Sequence, residues 1–359
     1  MSNITRRSFI RSGVSATLAV NLTLGCAFAS DVKAVRTQRA YGTDWSAIRG
    51  FNYQPSYGRT GTDIWYNFDA GRIAAELALG KLYFPKINAI RIWLAFDAFV
   101  GREDAFKRNL ESYIRAVDAI GCKAMPILFN RWRALPDWGT IDIDHFLPGS
   151  LAQSWFEKAM YSYLDATIGA HRADERVLAW DLCNEPYFNQ SAAGNKDDTP
   201  KVVADAETAW LRSMYRRAKE LKPAQPVTIA AHGAHPLSKF NEFSDILSIH
   251  PYMVPSVSTE DQHENELDEH VAYANQVGKP LLASECCWGE EDDAEHVKLI
   301  AYSLSQLRQR GIGFMPDSLH HSLVGDEHRA EYGPVWVEMM AFIEADGRLR
   351  TGHEVYNEF

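Results

Sequence analysis

The chain has 359 residues, of which 46% are hydrophobic and 23% are charged. These fractions are those of ordinary globular proteins and exclude extensive disorder and fibrous structure, while the length allows one large domain or two smaller ones. The formal charge of −10 disfavours nucleic-acid binding as a main role, and five cysteines are too few for a disulfide scaffold.

The first 29 residues have the composition of an export signal. Arg6 and Arg7 precede a short, mildly apolar run that ends in Ala27-Phe28-Ala29, and the segment contains no acidic residue. It resembles a twin-arginine secretion signal, which implies export to the periplasm or the medium. The alternative is a membrane anchor, but the run is shorter than the ~20 apolar residues that a spanning helix needs. Cleavage after residue 29 would remove three arginines and no acids, changing the formal charge from −10 to −13.

Four cysteines follow this segment. Twin-arginine substrates normally fold in a reducing cytoplasm before export, so we expect these four to be free thiols. No two of them are separated by the two residues that are typical of zinc knuckles. They are Cys122, Cys183, Cys286 and Cys287.

Eight short apolar segments rich in β-formers alternate with amphipathic helical segments along the rest of the chain. The strands are predicted at 49–53, 89–94, 123–128, 177–182, 226–231, 245–250, 280–285 and 311–316. The helices include 105–120, 152–168, 203–221, 266–277, 294–310 and 335–343. Gly121, Gly278 and Gly311 are placed where helices should end.

Nearly continuous apolar strands, each separated from the next by a helix, indicate a parallel sheet covered by helices. Eight such units predict an α/β fold, a (β/α)8 TIM barrel, as a single domain over residues 30–359. A doubly wound open sheet is the competing fold, but it would require a glycine-rich phosphate turn after an early strand, which this chain lacks.

In such a barrel the functional side chains follow the carboxyl ends of the strands. Glu185 and Glu285 each follow a strongly apolar strand, the fourth and the seventh. Two facing carboxyl groups are what glycoside hydrolysis requires, since one protonates the leaving oxygen and the other attacks carbon or activates water. The alternative interpretation is that the glutamates are buried ion-pair partners of Arg91.

Four ordered motifs resemble glycoside hydrolase clan A, and most of all family 5, the cellulase-like retaining (β/α)8 enzymes. Asn184-Glu185-Pro186 matches the Asn-Glu-Pro signature of the fourth strand, and Arg91 matches an arginine of the second. His250 and Tyr252 match the His-x-Tyr of the sixth strand, and Glu285 matches the nucleophile of the seventh.

The resemblance implies a role for each of these residues. Glu185 is the acid/base, and Glu285 is the nucleophile, kept ionised by Arg91 and hydrogen-bonded by Tyr252. Asn184 holds the sugar 2-hydroxyl, and His250 orients Tyr252 or the acid/base or is a plain core histidine. The two carboxyl groups should lie about 5–5.5 Å apart, with retention of anomeric configuration.

The chain departs from the family pattern at two strand ends. The third strand offers Asn130 and Arg131 where a histidine is frequent, and the eighth ends in Met315-Pro316-Asp317 where a tryptophan is common. Another aromatic side chain must therefore stack on the sugar, because the apolar face of a pyranose packs on a π surface. Proximity to the predicted site favours Trp132, Tyr187 and Trp288 for this stacking contact, and Trp93 is a further candidate.

The sequence thus predicts a retaining β-glycoside hydrolase that acts on a β-linked oligosaccharide or polysaccharide and needs no cofactor or metal. It binds neither nucleic acid nor, after signal cleavage, a membrane. An exo-acting β-glycosidase on short oligosaccharides and a noncatalytic glycan-binding barrel are the alternatives. A metal-dependent hydrolase would rest only on histidines at strand ends, for which a polar contact to substrate is the favoured use. These are His232, His235, His320 and His321.

Overall fold

A computed structural model describes residues 34–132, 141–150, 153–187, 200–233, 235–326 and 340–359. The predicted export signal lies outside these residues. Eight parallel strands form one sheet in sequential order, each paired with the next along the chain. They are β1 (Gly50–Tyr53), β2 (Ala89–Trp93), β3 (Lys123–Asn130), β4 (Trp180–Asn184), β5 (Val227–His232), β6 (Leu247–His250), β7 (Leu281–Ala283) and β8 (Gly313–Phe314).

The sheet closes on itself between its first and last strands. A parallel bridge joins Arg49 to Phe314, and the Asn52 backbone N–H donates to the Pro316 carbonyl oxygen at 2.9 Å. A two-stranded antiparallel ribbon, Arg39–Ala40 with Thr43–Asp44, precedes the barrel. The predicted single-domain TIM barrel is therefore confirmed.

Helices follow most of the strands and cover the outside of the barrel. The α-helices are α1 (Gly61–Tyr66), α2 (Ala70–Tyr83), α3 (Phe96–Gly101), α4 (Glu103–Ala119), α5 (Gln153–Leu164), α6 (Lys201–Glu220), α7 (Glu260–Val277), α8 (Asp293–Gln309) and α9 (Leu323–Asp326). A π-helical turn, Asp165–Gly169, extends α5. The 3-10 helices are Trp45–Ala47, Ile143–His145, Leu237–Lys239, Asn241–Phe243 and His353–Glu358. Within the described ranges, no helix has an apolar stretch long enough to cross a membrane.

Most predicted helices match, with two differences. Helix α7 begins six residues earlier than predicted, because Thr259 and Gln262 form a capping box that starts the helix before its first apolar residue. The predicted helix 335–343 lies mostly outside the described residues, and its last residue is not helical. Ile343 instead forms bridges with His320 and Leu349, so the helical prediction is wrong there.

The predicted helix ends and free thiols are confirmed. Gly121, Gly278 and Gly311 have φ between +66° and +70°, a left-handed conformation that glycine adopts without the steric penalty of a Cβ atom. The four cysteines of the described residues are buried free thiols, and Cys183 and Cys286 pack as small apolar groups in the main core.

A second, smaller core cluster includes residues near the starts of several strands, and Trp45 is its largest member. Trp45 is fully buried, and its backbone approaches β8 closely. A Cβ atom on Gly313 would lie 2.1 Å from the Trp45 carbonyl oxygen, so only glycine fits at that point of β8. The opposite rim, formed by the carboxyl ends of the strands, carries the polar side chains.

Candidate active site

Both glutamates lie at the carboxyl-end rim of the barrel. Glu185 directly follows β4, and its backbone N–H donates to the Ala230 carbonyl oxygen of β5 at 2.9 Å. Its φ of +45° lies in the left-handed region, which costs a non-glycine residue of order 1–3 kcal/mol and is typical of functional sites. Glu285 lies two residues beyond β7. Because parallel strands all end at the same rim, these two distant positions are brought together.

Arg91 on β2 is completely buried and holds the site together. Its guanidinium has five N–H groups and makes five hydrogen bonds to side chains. Two reach Asp181 Oδ2, at 2.7 and 2.9 Å, and one reaches Glu285 Oε1 at 2.6 Å. The others reach the Asn52 and Asn184 Oδ1 atoms, each at 2.7 Å. Every donor of this cation is thus satisfied by residues that follow or belong to β1, β4 and β7.

Glu285 is held on both of its oxygens. Arg91 bonds Oε1, and the Tyr252 hydroxyl donates to Oε2 at 2.9 Å. Burial holds the pKa of Glu285 above its ordinary value, and the Arg91 charge and these hydrogen bonds offset part of that increase. Of the two glutamates, Glu285 therefore has the surroundings that favour the ionised form.

The surroundings of Glu185 raise its pKa more strongly. Burial is the main cause that raises its pKa well above the ordinary value, and the nearby charge of Glu285 raises it further. Arg91 acts on Glu185 only over a distance, since none of its five hydrogen bonds reaches this carboxyl. Of the two carboxyl groups, Glu185 is therefore the one whose surroundings favour the protonated form more.

His250 connects the two carboxyl groups. Its Nδ1 lies 2.6 Å from Glu185 Oε1 and 3.3 Å from Glu285 Oε2. On the other side of the ring, Nε2 lies 3.0 Å from Ser284 Oγ, which accepts a hydrogen bond from Ser248 at 2.6 Å. Ser284 therefore has its own proton available for Nε2, and this assigns the imidazole proton to Nδ1. Burial keeps the pKa of His250 well below its ordinary value, so the ring is neutral.

The carboxyl groups are close enough to act on one bound atom. One oxygen of Glu185, one oxygen of Glu285 and a ring nitrogen of His250 all lie within 4.8 Å of one another. Such a triad can in principle hold a divalent metal ion. However, Arg91 already places a full positive charge in contact with Glu285, and a second cation there would be repelled.

Asn184, the last residue of β4, is positioned by Asn130 on β3. Its Nδ2 donates to Asn130 Oδ1 at 3.1 Å, and its Oδ1 accepts from Arg91. Among the described residues, no acceptor other than Asn130 bonds Asn184 Nδ2, so its second N–H can be offered to a ligand. Asn130 Oδ1 also accepts from the Trp132 backbone N–H at 2.9 Å, which fixes the half-buried Trp132 beside it.

The aromatic candidates differ in where the structure places them. Trp288 is half-buried and lies three residues after Glu285, and its ring contacts the Tyr252 ring edge-to-face with 5.7 Å between centroids. Tyr187 is 1% exposed, and its hydroxyl pairs with Thr208 at 2.9 Å. The expectation that Tyr187 stacks on a sugar therefore disagrees with its position in the core, whereas Trp288 borders the site.

The four strand-end histidines differ in their surroundings, and His232 on β5 is the register partner of His250 on β6. Burial and the neighbouring His235 lower the pKa of His232 to about 4, and His320 Nδ1 lies 2.9 Å from the His321 carbonyl oxygen. Over the described ranges, only one cluster of potential metal ligands other than the glutamate site occurs, and it contains none of these histidines. It comprises Glu111, His171 and Asp174, and Arg176 forms ion pairs with both of its carboxylates.

Three residues of the network were not predicted from the sequence. Asn52 and Asp181 bond Arg91, and Ser284 bonds His250. Asp181 carried a detectable signal, since a charged residue in the middle of a buried apolar strand requires a buried partner. Asn52 and Ser284 carried none, because single polar residues near strand ends are common.

No protein-family model and no curated protein matches this chain. Its fold is similar to several solved structures at low sequence identity. One is a family 5, subfamily 18 glycoside hydrolase from Streptomyces cattleya in complex with GlcNAc, with 17% identity, a TM-score of 0.66 and coverage of 86% of this chain and 78% of that chain. Another is an exo-β-1,4-mannosidase from Opitutaceae bacterium strain TAV5, with 18% identity, a TM-score of 0.68 and coverage of 92% and 61%.

A third similar structure is a glycoside hydrolase family 5 mannosidase from Rhizomucor miehei, with 16% identity and a TM-score of 0.60. The match covers 91% of this chain and 96% of that chain. At these identities the likeness establishes the (β/α)8 fold that the chain shares with glycoside hydrolases.

Proposed function

We propose that the protein is a retaining β-glycoside hydrolase in which Glu185 is the acid/base and Glu285 is the nucleophile. One observation carries the proposal: an oxygen of each of two buried carboxyl groups lies within 4.8 Å of the other, and of the two groups only Glu285 is in contact with the Arg91 cation. Retaining enzymes place their carboxyl groups about 5–5.5 Å apart, and inverting enzymes place them about 6.5–9.5 Å apart to admit a water molecule. The short separation supports retention.

In the first step, a Glu285 oxygen attacks the anomeric carbon and the bond to the leaving oxygen breaks. Glu185 gives its proton to that oxygen, so the leaving group departs as an alcohol. As Glu285 loses charge to the new bond, the repulsion that raised the pKa of Glu185 falls. Glu185 is then a stronger acid at the moment when its proton is needed.

In the second step, Glu185, now ionised, takes a proton from water, and the water oxygen attacks the anomeric carbon. The bond to Glu285 breaks, and its carboxylate returns to the Arg91 and Tyr252 donors. The N–H at His250 Nδ1 can donate a hydrogen bond to whichever of the two carboxyl groups is ionised, because it lies within reach of both. The free N–H of Asn184 is placed to hold a sugar hydroxyl, a contact that strengthens in an oxocarbenium-like transition state.

The test is hydrolysis of aryl β-glycosides and of β-mannans, β-glucans, xylans and galactans by the wild type, Glu185→Ala and Glu285→Ala. Mannosides come first in this panel, because two of the similar structures are named as mannosidases. Proton NMR of the first product formed should show retained configuration. Both variants should lose activity, while Glu295→Gln, an exposed glutamate on α8, should retain it.

Azide separates the two roles. It should restore Glu285→Ala through an inverted glycosyl azide, because the small anion replaces the nucleophile. It should restore Glu185→Ala through a retained glycosyl azide, because it attacks the covalent intermediate without needing a base. Full activity of Glu285→Ala without azide would refute the nucleophile assignment, and glycan binding without cleavage of any substrate would favour the noncatalytic barrel.

One of the similar structures is named as an exo-β-1,4-mannosidase, which makes short oligosaccharides reasonable substrates. We propose cleavage from a chain end as the alternative to internal cleavage. Product analysis on a β-1,4-linked hexasaccharide distinguishes them, since exo action releases only monosaccharide at early times. We also propose export through residues 1–29, which N-terminal sequencing of the exported protein tests, with an Arg6→Lys, Arg7→Lys variant as the non-exported control.

A further inference from the structure

The turn from Glu185 to Tyr187 has an uncommon backbone conformation. Glu185 and Tyr187 have φ of +45° and +67°, in the left-handed region that non-glycine residues adopt only where the surrounding structure holds them. Pro186 between them has no N–H. The backbone donors of the turn are therefore the N–H groups of Glu185 and Tyr187, and the first of these is bonded to Ala230 on β5. The partner of the second N–H shows what else holds the turn.

Glu207 on α6 is that partner. It is completely buried, and its Oε1 accepts a hydrogen bond from the Tyr187 N–H at 2.9 Å. The next residue, Thr208, donates its own proton to the Ala204 carbonyl oxygen at 2.8 Å, so the Tyr187 hydroxyl is the donor in its 2.9 Å bond to Thr208 Oγ1. Two successive residues of α6 thus hold Tyr187, one by its backbone and one by its side chain.

Arg131 fixes the carboxyl group of Glu207. It directly follows β3, is 4% exposed, and donates from Nε to the same Oε1 at 2.9 Å. Its backbone N–H donates to the Asn184 carbonyl oxygen at 2.9 Å, and its guanidinium also donates to the Ile141 carbonyl oxygen. The Arg131–Glu207 ion pair is therefore joined to the chain on both sides of Glu185, one residue before it and two residues after it.

Stability alone does not account for this buried ion pair. Glu207 Oε2 has no hydrogen-bond partner among the described residues, which is a cost for a buried carboxylate. Apolar side chains of similar volume often stabilise a protein as much as a buried ion pair does, or more. They would, however, leave the Tyr187 N–H without an acceptor. The acceptor oxygen is therefore the property that only a polar side chain supplies at position 207.

We propose that Glu207 is a positioning residue for Glu185: its Oε1 holds the turn in the left-handed conformation by accepting the Tyr187 N–H, and Arg131 orients that oxygen. The inference rests on the proposed function, in which Glu185 protonates the leaving oxygen. The backbone conformation sets the direction of the Glu185 side chain, and a displacement of about 1 Å in a reacting group can lower a rate about 100-fold.

The experiment uses leaving groups that differ in their need for an acid. kcat/KM reports the first step, and it is measured on the 2,4-dinitrophenyl and phenyl β-glycosides of the sugar that the wild type hydrolyses fastest. Dinitrophenolate departs without a proton, whereas the phenyl leaving group needs one. Glu207→Leu should lower kcat/KM roughly 10- to 100-fold on the phenyl glycoside and less than about threefold on the dinitrophenyl glycoside. Glu185→Ala is the reference, because it removes the acid altogether.

Three further variants separate positioning from stability. Glu207→Gln keeps an oxygen for the Tyr187 N–H but removes the charge opposite Arg131, so it should unfold at lower urea concentration with kcat/KM on both glycosides within about threefold of the wild type. The double variant Arg131→Met, Glu207→Leu should unfold at higher urea concentration than Glu207→Leu, because no buried charge is left unpaired, and should keep the selective loss on the phenyl glycoside. Asp268→Ala, which removes a partner of the buried Arg310 at the C-terminal end of α8, should lower stability without a selective loss.

Hydrogen exchange at the Tyr187 amide gives a measurement that does not depend on turnover. NMR of the protein with isotope-labelled tyrosine should show faster exchange of this amide in Glu207→Leu than in the wild type or in Asp268→Ala. If Glu207→Leu fails to fold, the double variant replaces it in both measurements.

Three results would overturn the inference and leave the proposed hydrolase in place. They are the same fold-change on both glycosides in Glu207→Leu, recovery of phenyl-glycoside hydrolysis in the double variant, and an unchanged exchange rate at Tyr187. Hydrolysis of no glycoside by the wild type would instead refute the proposed function and, with it, the inference.

Discussion

Replacing Glu185 by glutamine should stabilise the protein increasingly as the pH rises. In the folded state the pKa of Glu185 is held well above its ordinary value by burial and by Glu285. In the unfolded chain a glutamate titrates near about 4.3. Between these two pKa values the folded state binds the additional proton, so the wild type loses stability as the pH rises.

The size of the effect follows from this difference. Each pH unit within that interval costs the wild type up to about 1.4 kcal/mol. Glutamine does not titrate and escapes this loss. The free energy of unfolding of Glu185→Gln, minus that of the wild type, should therefore increase from pH 5 to pH 7, by up to about 1.4 kcal/mol per pH unit.

Urea unfolding followed by tryptophan fluorescence at pH 5, 6 and 7 measures this difference. Glu295→Gln is the matched control, because that side chain is 61% exposed and should give a flat difference. A flat difference for Glu185→Gln as well would show that Glu185 is not the buried proton holder, and the assignment of the acid/base would fail with it.

Three further results are expected. Tyr252→Phe should keep the fold and lower kcat/KM by roughly 10- to 100-fold, because Glu285 loses a hydrogen bond to a charged oxygen; an unchanged kcat/KM would remove Tyr252 from the mechanism. Arg91→Met should lower the free energy of unfolding by about 3–5 kcal/mol in urea titrations, and adding Asp181→Asn should recover part of it, since Asp181 would otherwise be buried without its cation. The pKa of His296 is lowered to about 2 by burial, so its contribution to stability should fall by about 2 kcal/mol from pH 7 to pH 5 as the unfolded chain takes up a proton. His296→Gln should remove that pH dependence, and an unchanged slope in urea titrations would contradict the explanation.

Much of the barrel could be predicted because each strand is an apolar segment bounded by clear helix signals. The strand-end residues Glu185, Glu285 and His250 could be placed at one rim for the same reason. What the sequence does not show is which polar side chains fill the space between them. Asn52 and Ser284 enter the site through contacts between strands distant in the chain, and such pairings leave no periodic pattern.

Helix α7 and Tyr187 show two other limits. The start of α7 is determined by a polar capping box, which a search for apolar periodicity passes over. Tyr187 lies two residues from Glu185 and was favoured for that reason. Both have positive φ, at +67° and +45°, and Tyr187 is directed into the core, so closeness in sequence did not mean closeness to a ligand.

The saturated guanidinium of Arg91 also bears on how the molecule assembles. The four oxygen atoms that accept its five hydrogen bonds come from early, middle and late parts of the chain, from Asn52 to Glu285. A fragment holding only the first half of the barrel lacks the carboxylate of Glu285 and leaves this cation short of an acceptor. In refolding, the complete network can form only when β7 has joined the sheet, so it is one of the last features to appear. Recovery of glycosidase activity would then report completion of the whole barrel, later than signals from its individual helices.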